Sequence, residues 1–215
     1  MAPSTQAPAS AFSSSPRPAG SSCHERPGRP LLQTISGRSP VIAVLLTPGA
    51  SATRDHSSLV AMDDALSTDG VIVARIDLPS SRPGPKVMAA ITDAAAALAP
   101  AQVVLGGRSF GGRMCSMAVA EGLPALGLVL VSYPLHPPGR PETMRVDHFP
   151  RLHVPCLFVS GTRDAFATPV ELEAATAAIP GDVTHVWIDG GGHGLRGKDK
   201  PVAGAVRDWV VGLRG

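Results

Sequence analysis

Gln102-Val103-Val104-Leu105-Gly106-Gly107-Arg108-Ser109-Phe110-Gly111-Gly112-Arg113-Met114 passes from an apolar strand pattern through a glycine-rich turn into a helical one. Within it, Gly107-Arg108-Ser109-Phe110-Gly111 has the G-x-S-x-G spacing of a nucleophile elbow, a sharp strand-to-helix turn that lifts a serine hydroxyl above a sheet. Gly107 and Gly111, two residues to either side of Ser109, have no Cβ to hold strand and helix apart. The helix, expected to end near Gly122, aims its first N–H groups at the serine and favours negative charge there. The spacing alone is a weak signal; its place between a buried strand and a helix makes it specific. The competing reading is the glycine-rich turn of a nucleotide-binding α/β protein with an incidental serine.

A serine hydroxyl is a poor nucleophile at neutral pH, so this chemistry needs a histidine base and an acid that orients it, later in the chain in the order Ser, Asp, His. The strand pattern of residues 155–160 runs into Gly161-Thr162-Arg163-Asp164, which sets a carboxylate at a strand's C-terminal end. The last strand pattern, ending Trp187-Ile188-Asp189, runs into Gly190-Gly191-Gly192-His193-Gly194, a turn able to present an imidazole over the same edge. Groups at that edge of a parallel sheet converge in space although far apart in sequence. Asp164 and His193 are therefore the expected partners of Ser109. Asp164 also fits a turn or cap ahead of the helix near Thr168, with Asp189 then the substitute acid. Of the other histidines, His24 lies near the N-terminus, His185 within a strand, and His56, His136, His148 and His153 in loops or at element ends.

Acyl transfer develops an oxyanion that needs two N–H donors. Phe110, directly after the serine, supplies one; the loop Thr47-Pro48-Gly49-Ala50-Ser51 after the first strand offers the N–H of Ala50, unless it is only a Pro-Gly turn.

Beyond residue 40, β-branched runs alternate with helical patterns, which predicts an α/β fold with a mostly parallel sheet of at least six strands and helices on both faces. The strands are read at residues 41–47, 71–77, 102–105, 127–132, 155–160 and 183–188. Leu59, Met62 and Leu66 mark one helix; Val87, Ile91 and Leu98 mark another that ends before Pro100. Thr168-Pro169-Val170-Glu171 opens a third as a capping box with proline at its first position. Val202, Val206, Trp209, Val210 and Leu213 form an apolar stripe near the C-terminus. Residues 1–38, crowded with Pro, Ser, Ala and Gly, read as a disordered tail ahead of a domain at 39–215, with Leu31 to Ile35 a possible edge-strand fragment. The tail lacks the apolar core of a signal peptide, while its arginines and serines faintly resemble an organellar transit peptide.

Of 19 basic and 17 acidic side chains, Arg17, Arg26, Arg29 and Arg38 but only Glu25 fall in residues 1–40, which leaves 15 and 16 for the rest. A domain without positive excess and with 4% aromatic residues has neither the field nor the stacking surface of a nucleic-acid binder. No apolar run approaches eighteen residues, so no membrane span is expected. Cys23, Cys115 and Cys156 are odd in number with no CxxC spacing; they read as ordinary thiols of a reducing compartment, and the expected location is cytoplasmic.

Leu46-Thr47-Pro48-Gly49-Ala50, the Gly107 to Arg113 elbow, Tyr133-Pro134-Leu135-His136-Pro137-Pro138-Gly139, Phe158-Val159-Ser160-Gly161-Thr162-Arg163-Asp164 and Gly191-Gly192-His193 together resemble the α/β-hydrolase-fold family typified by testis-expressed protein 30. That family is related to dienelactone hydrolases and shares its domain with a subunit of a histone-acetyltransferase complex. The resemblance spans about residues 40–213 and implies an α/β-hydrolase fold, a Ser/Asp/His site, and neither cofactor nor metal. Two departures stand out: the first loop reads Thr-Pro-Gly-Ala where His-Gly-Ala-Gly is more usual, and dienelactone hydrolases proper carry cysteine where this chain has Ser109.

Between the strands ending near Ser132 and beginning near Pro155, about twenty residues hold prolines at 134, 137, 138, 141 and 150. This excludes a helical cap and implies an open site for a small soluble ester or thioester. Arg108, Arg163, Arg113, Arg196 and His136 are candidates to bind a substrate carboxylate, or else pair with acids on a solvated rim. Tyr133, Phe166 and Trp187 line an acyl pocket or, on the blander reading, pack core and rim. Taken together, the expected function is a serine hydrolase acting on a small acyl substrate. The alternatives are a catalytically weak interaction module on the same fold and an acyltransferase.

Overall fold

The computed structural model describes residues 41–99 and 101–214. The expected tail, its Leu31 to Ile35 strand fragment and Cys23 lie outside the described residues. Strands β1 (Ile42–Thr47), β2 (Ile72–Arg75), β3 (Gln102–Arg108), β4 (Gly127–Val131), β5 (Cys156–Gly161) and β6 (Val183–Ile188) form one sheet in the order β2-β1-β3-β4-β5-β6. Every pairing is parallel.

Both faces of the sheet are covered, and for this reason the central strands read as unbroken apolar runs; β1 and β4 are buried at every position. Alternate side chains enter two separate cores. Leu45, Leu105, Leu128, Leu130 and Phe158 meet Val87 and Ile91 of α2 (Pro85–Ala96), Met114 of α3 (Phe110–Ala120) and Leu172 of α4 (Pro169–Thr176). Val44, Leu46, Val104, Val129, Val131 and Val159 meet Leu59, Met62 and Leu66 of α1 (Ser57–Ser67) and Val202, Val206 and Val210 of α5 (Asp199–Gly212). The four-residue spacing of those three valines keeps them on one face of α5, where full burial of each contributes about 1.5–3 kcal/mol. Trp209 and Leu213 flank them, partly buried.

The capping box of α4 forms as read: Glu171 accepts from the Thr168 N–H at 2.9 Å, and Thr168 Oγ1 accepts from the Glu171 N–H at 3.4 Å. Leu98 lies beyond the end of α2, in the turn that follows, yet still packs on the first core. Strand β3 runs three residues further than its apolar letters suggest, through Gly106, Gly107 and Arg108. The reason is packing: a Cβ at Gly106 would lie 2.5 Å from the Val129 carbonyl oxygen, and at Gly107 2.2 Å from that of Thr47. Strand β2, at one edge of the sheet and bonded to β1 alone, is shorter than expected. The Val71 N–H turns back to Leu66 at the end of α1.

Between β4 and β5 there is no α-helix, only a 3-10 turn at Phe149–Arg151. Tyr133, Leu135, Phe149 and Leu152 of this segment are buried in the first core. The rings of Tyr133 and Phe149 lie 5.3 Å apart, and each meets Phe158. The segment is folded down into the domain and forms no cap.

Candidate active site

Ser109 stands between β3 and α3 with φ 50° and ψ −115°. A non-glycine residue at positive φ costs of order 1–3 kcal/mol and persists only where its surroundings over-determine it. Here the Ser109 N–H is held by the Val131 carbonyl at 2.8 Å. Gly111 lets α3 approach β1 so closely that a Cβ there would be 2.4 Å from the Pro48 carbonyl oxygen. Among the described residues the other non-glycine positions at positive φ, Ser51, Ser132 and Leu195, also lie in turns beyond the C-terminal ends of strands. Backbone strain is concentrated at one edge of the sheet.

At that edge Ser109 Oγ lies 2.8 Å from His193 Nε2. His193 Nδ1 lies 2.9 and 3.0 Å from the two oxygens of Asp164. A carboxylate only accepts, so Nδ1 carries the proton and Nε2 is left to accept from the serine hydroxyl. Asp164 is 1% exposed and also accepts the Phe166 N–H at 2.8 Å. Thr168 caps α4, so Asp164 has no capping duty there. Asp189 is exposed and takes a hydrogen bond from Thr162 Oγ1, away from the imidazole. Phe166 stacks on the His193 ring, centroids 3.8 Å apart, and shields one face of it.

Ser109 and His193 line a cavity of about 440 Å³, with Asp164 buried outside its lining; the walls include Ala50, Phe110, Arg108, Arg113, Arg145 and Phe166. Phe110 is the first residue of α3, where an N–H has no intrahelical acceptor. Ala50 faces it from the loop after β1. Arg108 crosses the floor between two loops: Nη2 donates to the His193 carbonyl at 3.1 Å, and Nη1 lies 3.1 Å from where a Gly49 Cβ would be. Burial lowers the Arg108 pKa, opposed by the charges of Asp164 and Asp199.

Three expected contacts are corrected. Tyr133 is fully buried and donates its hydroxyl to the Arg145 carbonyl at 2.8 Å, so its ring is core. His136 is 5% exposed, with Nδ1 on the Pro137 carbonyl oxygen at 2.9 Å and Nε2 3.5 Å from Glu171. Arg163 is exposed and does not line the cavity; only its N–H is used, on the Gly191 carbonyl at 2.8 Å. Arg145, Pro134, Ser81 and Pro83 line the cavity without having been anticipated. Arg145, Ser81 and Pro83 come from stretches without a periodic or motif signal, and Pro134 belongs to a motif whose side chains were not read as lining a cavity.

Among the described residues no cluster of three or more His, Cys, Asp or Glu side chains could hold a metal ion, and no helix is long and apolar enough to cross a membrane. A larger cleft of about 510 Å³ lies at the opposite edge of the sheet, lined by residues such as Ala95, Val103, Leu123 and Leu126. It holds no titratable side chain, so the smaller cavity is where chemistry is possible.

The parallel sheet and the strained strand-to-helix turn that carries Ser109 are those of the α/β-hydrolase class. The alpha/beta hydrolase domain family matches residues 40–203, and the chain belongs to that family. Its fold is similar to that of Est1E from Butyrivibrio proteoclasticus, at TM-score 0.69 and 18% identity over 82% of this chain and 89% of that one. It is also similar to an esterase domain from a Rhodothermus marinus protein (TM-score 0.65, 18% identity, 82% and 87% covered). A thermophilic esterase from Thermogutta terrifontis aligns at TM-score 0.63 and 23% identity over 82% and 92%.

Proposed function

We propose that this chain is a serine hydrolase that cleaves small soluble esters or thioesters through an acyl-enzyme. The observation that carries the reading is the hydrogen-bonded chain from Ser109 Oγ through His193 to buried Asp164, opening on a cavity without a cap. Esterases among the similar folds agree with it. Within the family, the motifs from Tyr133 to Asp164 favour the testis-expressed protein 30 type, related to dienelactone hydrolases.

Ser109 Oγ attacks the acyl carbon as its proton passes to His193 Nε2, and Asp164 stabilises the resulting imidazolium. The carbonyl oxygen becomes an oxyanion held by the N–H groups of Phe110 and Ala50. Collapse breaks the bond to the leaving group, which takes the proton from His193. Water repeats the sequence on the acyl-enzyme: it attacks, gives its proton to His193, and the acid leaves as Ser109 recovers its own. No step calls for a metal or cofactor. The test is turnover of p-nitrophenyl esters of two to eight carbons by the wild type, with Ser109→Ala as control. Activity on the shorter members that disappears in Ser109→Ala supports the reading; equal rates in both proteins overturn it.

A further inference from the structure

Among the described residues the cavity beside Ser109 is lined by Arg108, Arg113 and Arg145, and by no carboxylate. Arg108 is engaged with the His193 carbonyl, but the other two have little to hold them. Among the described residues neither Arg113 nor Arg145 forms an ion pair. Arg113 Nε is buried and has no hydrogen-bond partner, and Arg145 has only a long bond of 3.4 Å to the Pro134 carbonyl. The two cations act on each other: besides burial, the charge of Arg113 lowers the Arg145 pKa.

Two guanidinium groups that share a half-enclosed wall, unpaired and mutually repelling, are costly unless an anion lies between them. Their planar forks match a carboxylate or phosphate in paired hydrogen bonds. A concave site of one sign also concentrates oppositely charged ligands. Placement ties this charge to the chemistry. Arg113 lies in the first turn of α3, four residues after Ser109, and Arg145 arrives from the β4–β5 segment, anchored because its carbonyl takes the Tyr133 hydroxyl.

We propose that the substrate cleaved at Ser109 carries an anionic group, of carboxylate or phosphate type, seated between Arg113 and Arg145. This rests on the serine-hydrolase reading and names its substrate class. The bonds made and broken are those of the ester step already given, and the anion takes no part in them.

The experiment compares matched esters whose charge lies on either side of the scissile bond. Mono-p-nitrophenyl succinate is set against p-nitrophenyl butyrate, and 4-acetoxybenzoate against phenyl acetate. A pair of charged hydrogen bonds predicts that at least one anionic member exceeds its neutral match in kcat/KM by about 10- to 100-fold. That ratio falls towards one in Arg113→Gln and Arg145→Gln, recovers in part in Arg145→Lys, and shrinks with added salt. Succinate and inorganic phosphate, tested as competitive inhibitors, distinguish the two anion types. Equal kcat/KM within both pairs, in an enzyme that Ser109→Ala inactivates, overturns the inference and leaves the serine mechanism standing. If no ester is turned over, the mechanism fails, and calorimetry with succinate and phosphate still decides the anion site. Binding lost in the double variant Arg113→Gln/Arg145→Gln supports the site, and absence of binding to the wild type overturns it.

Discussion

Gly161 and Gly191 meet backbone to backbone: a Cβ on Gly161 would lie 2.1 Å from the Gly191 carbonyl oxygen. The same carbonyl accepts the Arg163 N–H at 2.8 Å, and the Thr162 N–H bonds to Ile188 at 3.1 Å. Asp164 leaves β5 by one of these turns and His193 leaves β6 by the other. The contact between two glycines is what brings carboxylate and imidazole within 2.9 Å.

Gly161→Ala therefore loses both stability and activity. Backbone faces the new methyl group, so relief requires the turns to separate, at about 1–3 kcal/mol or more. A shift of His193 by a fraction of an ångström lowers kcat more than it raises KM, by up to about 100-fold. Gly194→Ala is the control, since a Cβ there meets Arg196 Cγ at an ordinary 3.5 Å. Thermal denaturation with ester kinetics on the two variants checks this; a Gly161→Ala protein as active as Gly194→Ala would contradict it.

Arg108 links the loop after β1 to the loop bearing His193. Arg108→Met keeps the packing of the stem but drops the bond to the His193 carbonyl, and kcat is expected to fall about 10-fold, the worth of one charged hydrogen bond. Arg108→Lys restores only part, because an ammonium lacks the planar fork. Steady-state kinetics across the three proteins reads this, and an unaltered kcat in Arg108→Met would sink it.

Cys115 lies under the elbow, its sulfur 3.5 Å from both Thr47 Oγ1 and the Gly106 carbonyl oxygen. Burial pushes this thiol, and that of Cys156, up to about 12. Thiolate is the reactive form, so neither residue should be alkylated by iodoacetamide at pH 8 in the folded protein, and both should be after denaturation. Peptide mapping of the two cysteines distinguishes the states.

Burial, reinforced by the charges of Arg113 and Arg151, pushes the His148 imidazole down to about 4. The unfolded chain, with an ordinary value near 6.5, takes up the proton first. The stabilising contribution is complete above pH 6.5 and is lost as pH falls from there towards 4. After allowance for screening it amounts to about 2 kcal/mol. Ser116 Oγ donates to the Arg113 carbonyl at 2.8 Å, so His148 Nε2 donates to Ser116 Oγ and keeps that bond on protonation; the cost lies in charging a buried ring beside two arginines. His148→Gln should lose melting temperature less steeply than the wild type between pH 7 and pH 4; parallel curves would refute it.

Much of the fold was legible because both sheet faces are buried, which turns each central strand into an uninterrupted apolar word such as Ile42-Ala43-Val44-Leu45-Leu46. The capping box at Thr168 was legible because it is local chemistry. Gly106 and Gly107 hid the end of β3: they are extended for the sake of contacts with β1 and β4, which no local pattern records. The convergence of Ser109, Asp164 and His193 at one end of the sheet was readable from the position of each just beyond a strand. Tyr133, His136 and Arg163 misled because nearness to a motif in sequence says nothing of which way a side chain turns. Arg145 was missed for the converse reason: it lies 36 positions beyond Ser109, in an irregular proline-rich segment, and is held at the cavity by bonds to Tyr133, Leu135 and Pro134 that no local pattern records.

Covalent labelling of Ser109 by a fluorophosphonate, read by intact mass and peptide mapping, tests the serine mechanism most directly. One adduct per chain on Ser109 is expected, absent in Ser109→Ala and formed about 10³- to 10⁴-fold more slowly in His193→Ala and Asp164→Asn. A folded wild type that takes no label, or takes it on another residue, would contradict the assignment.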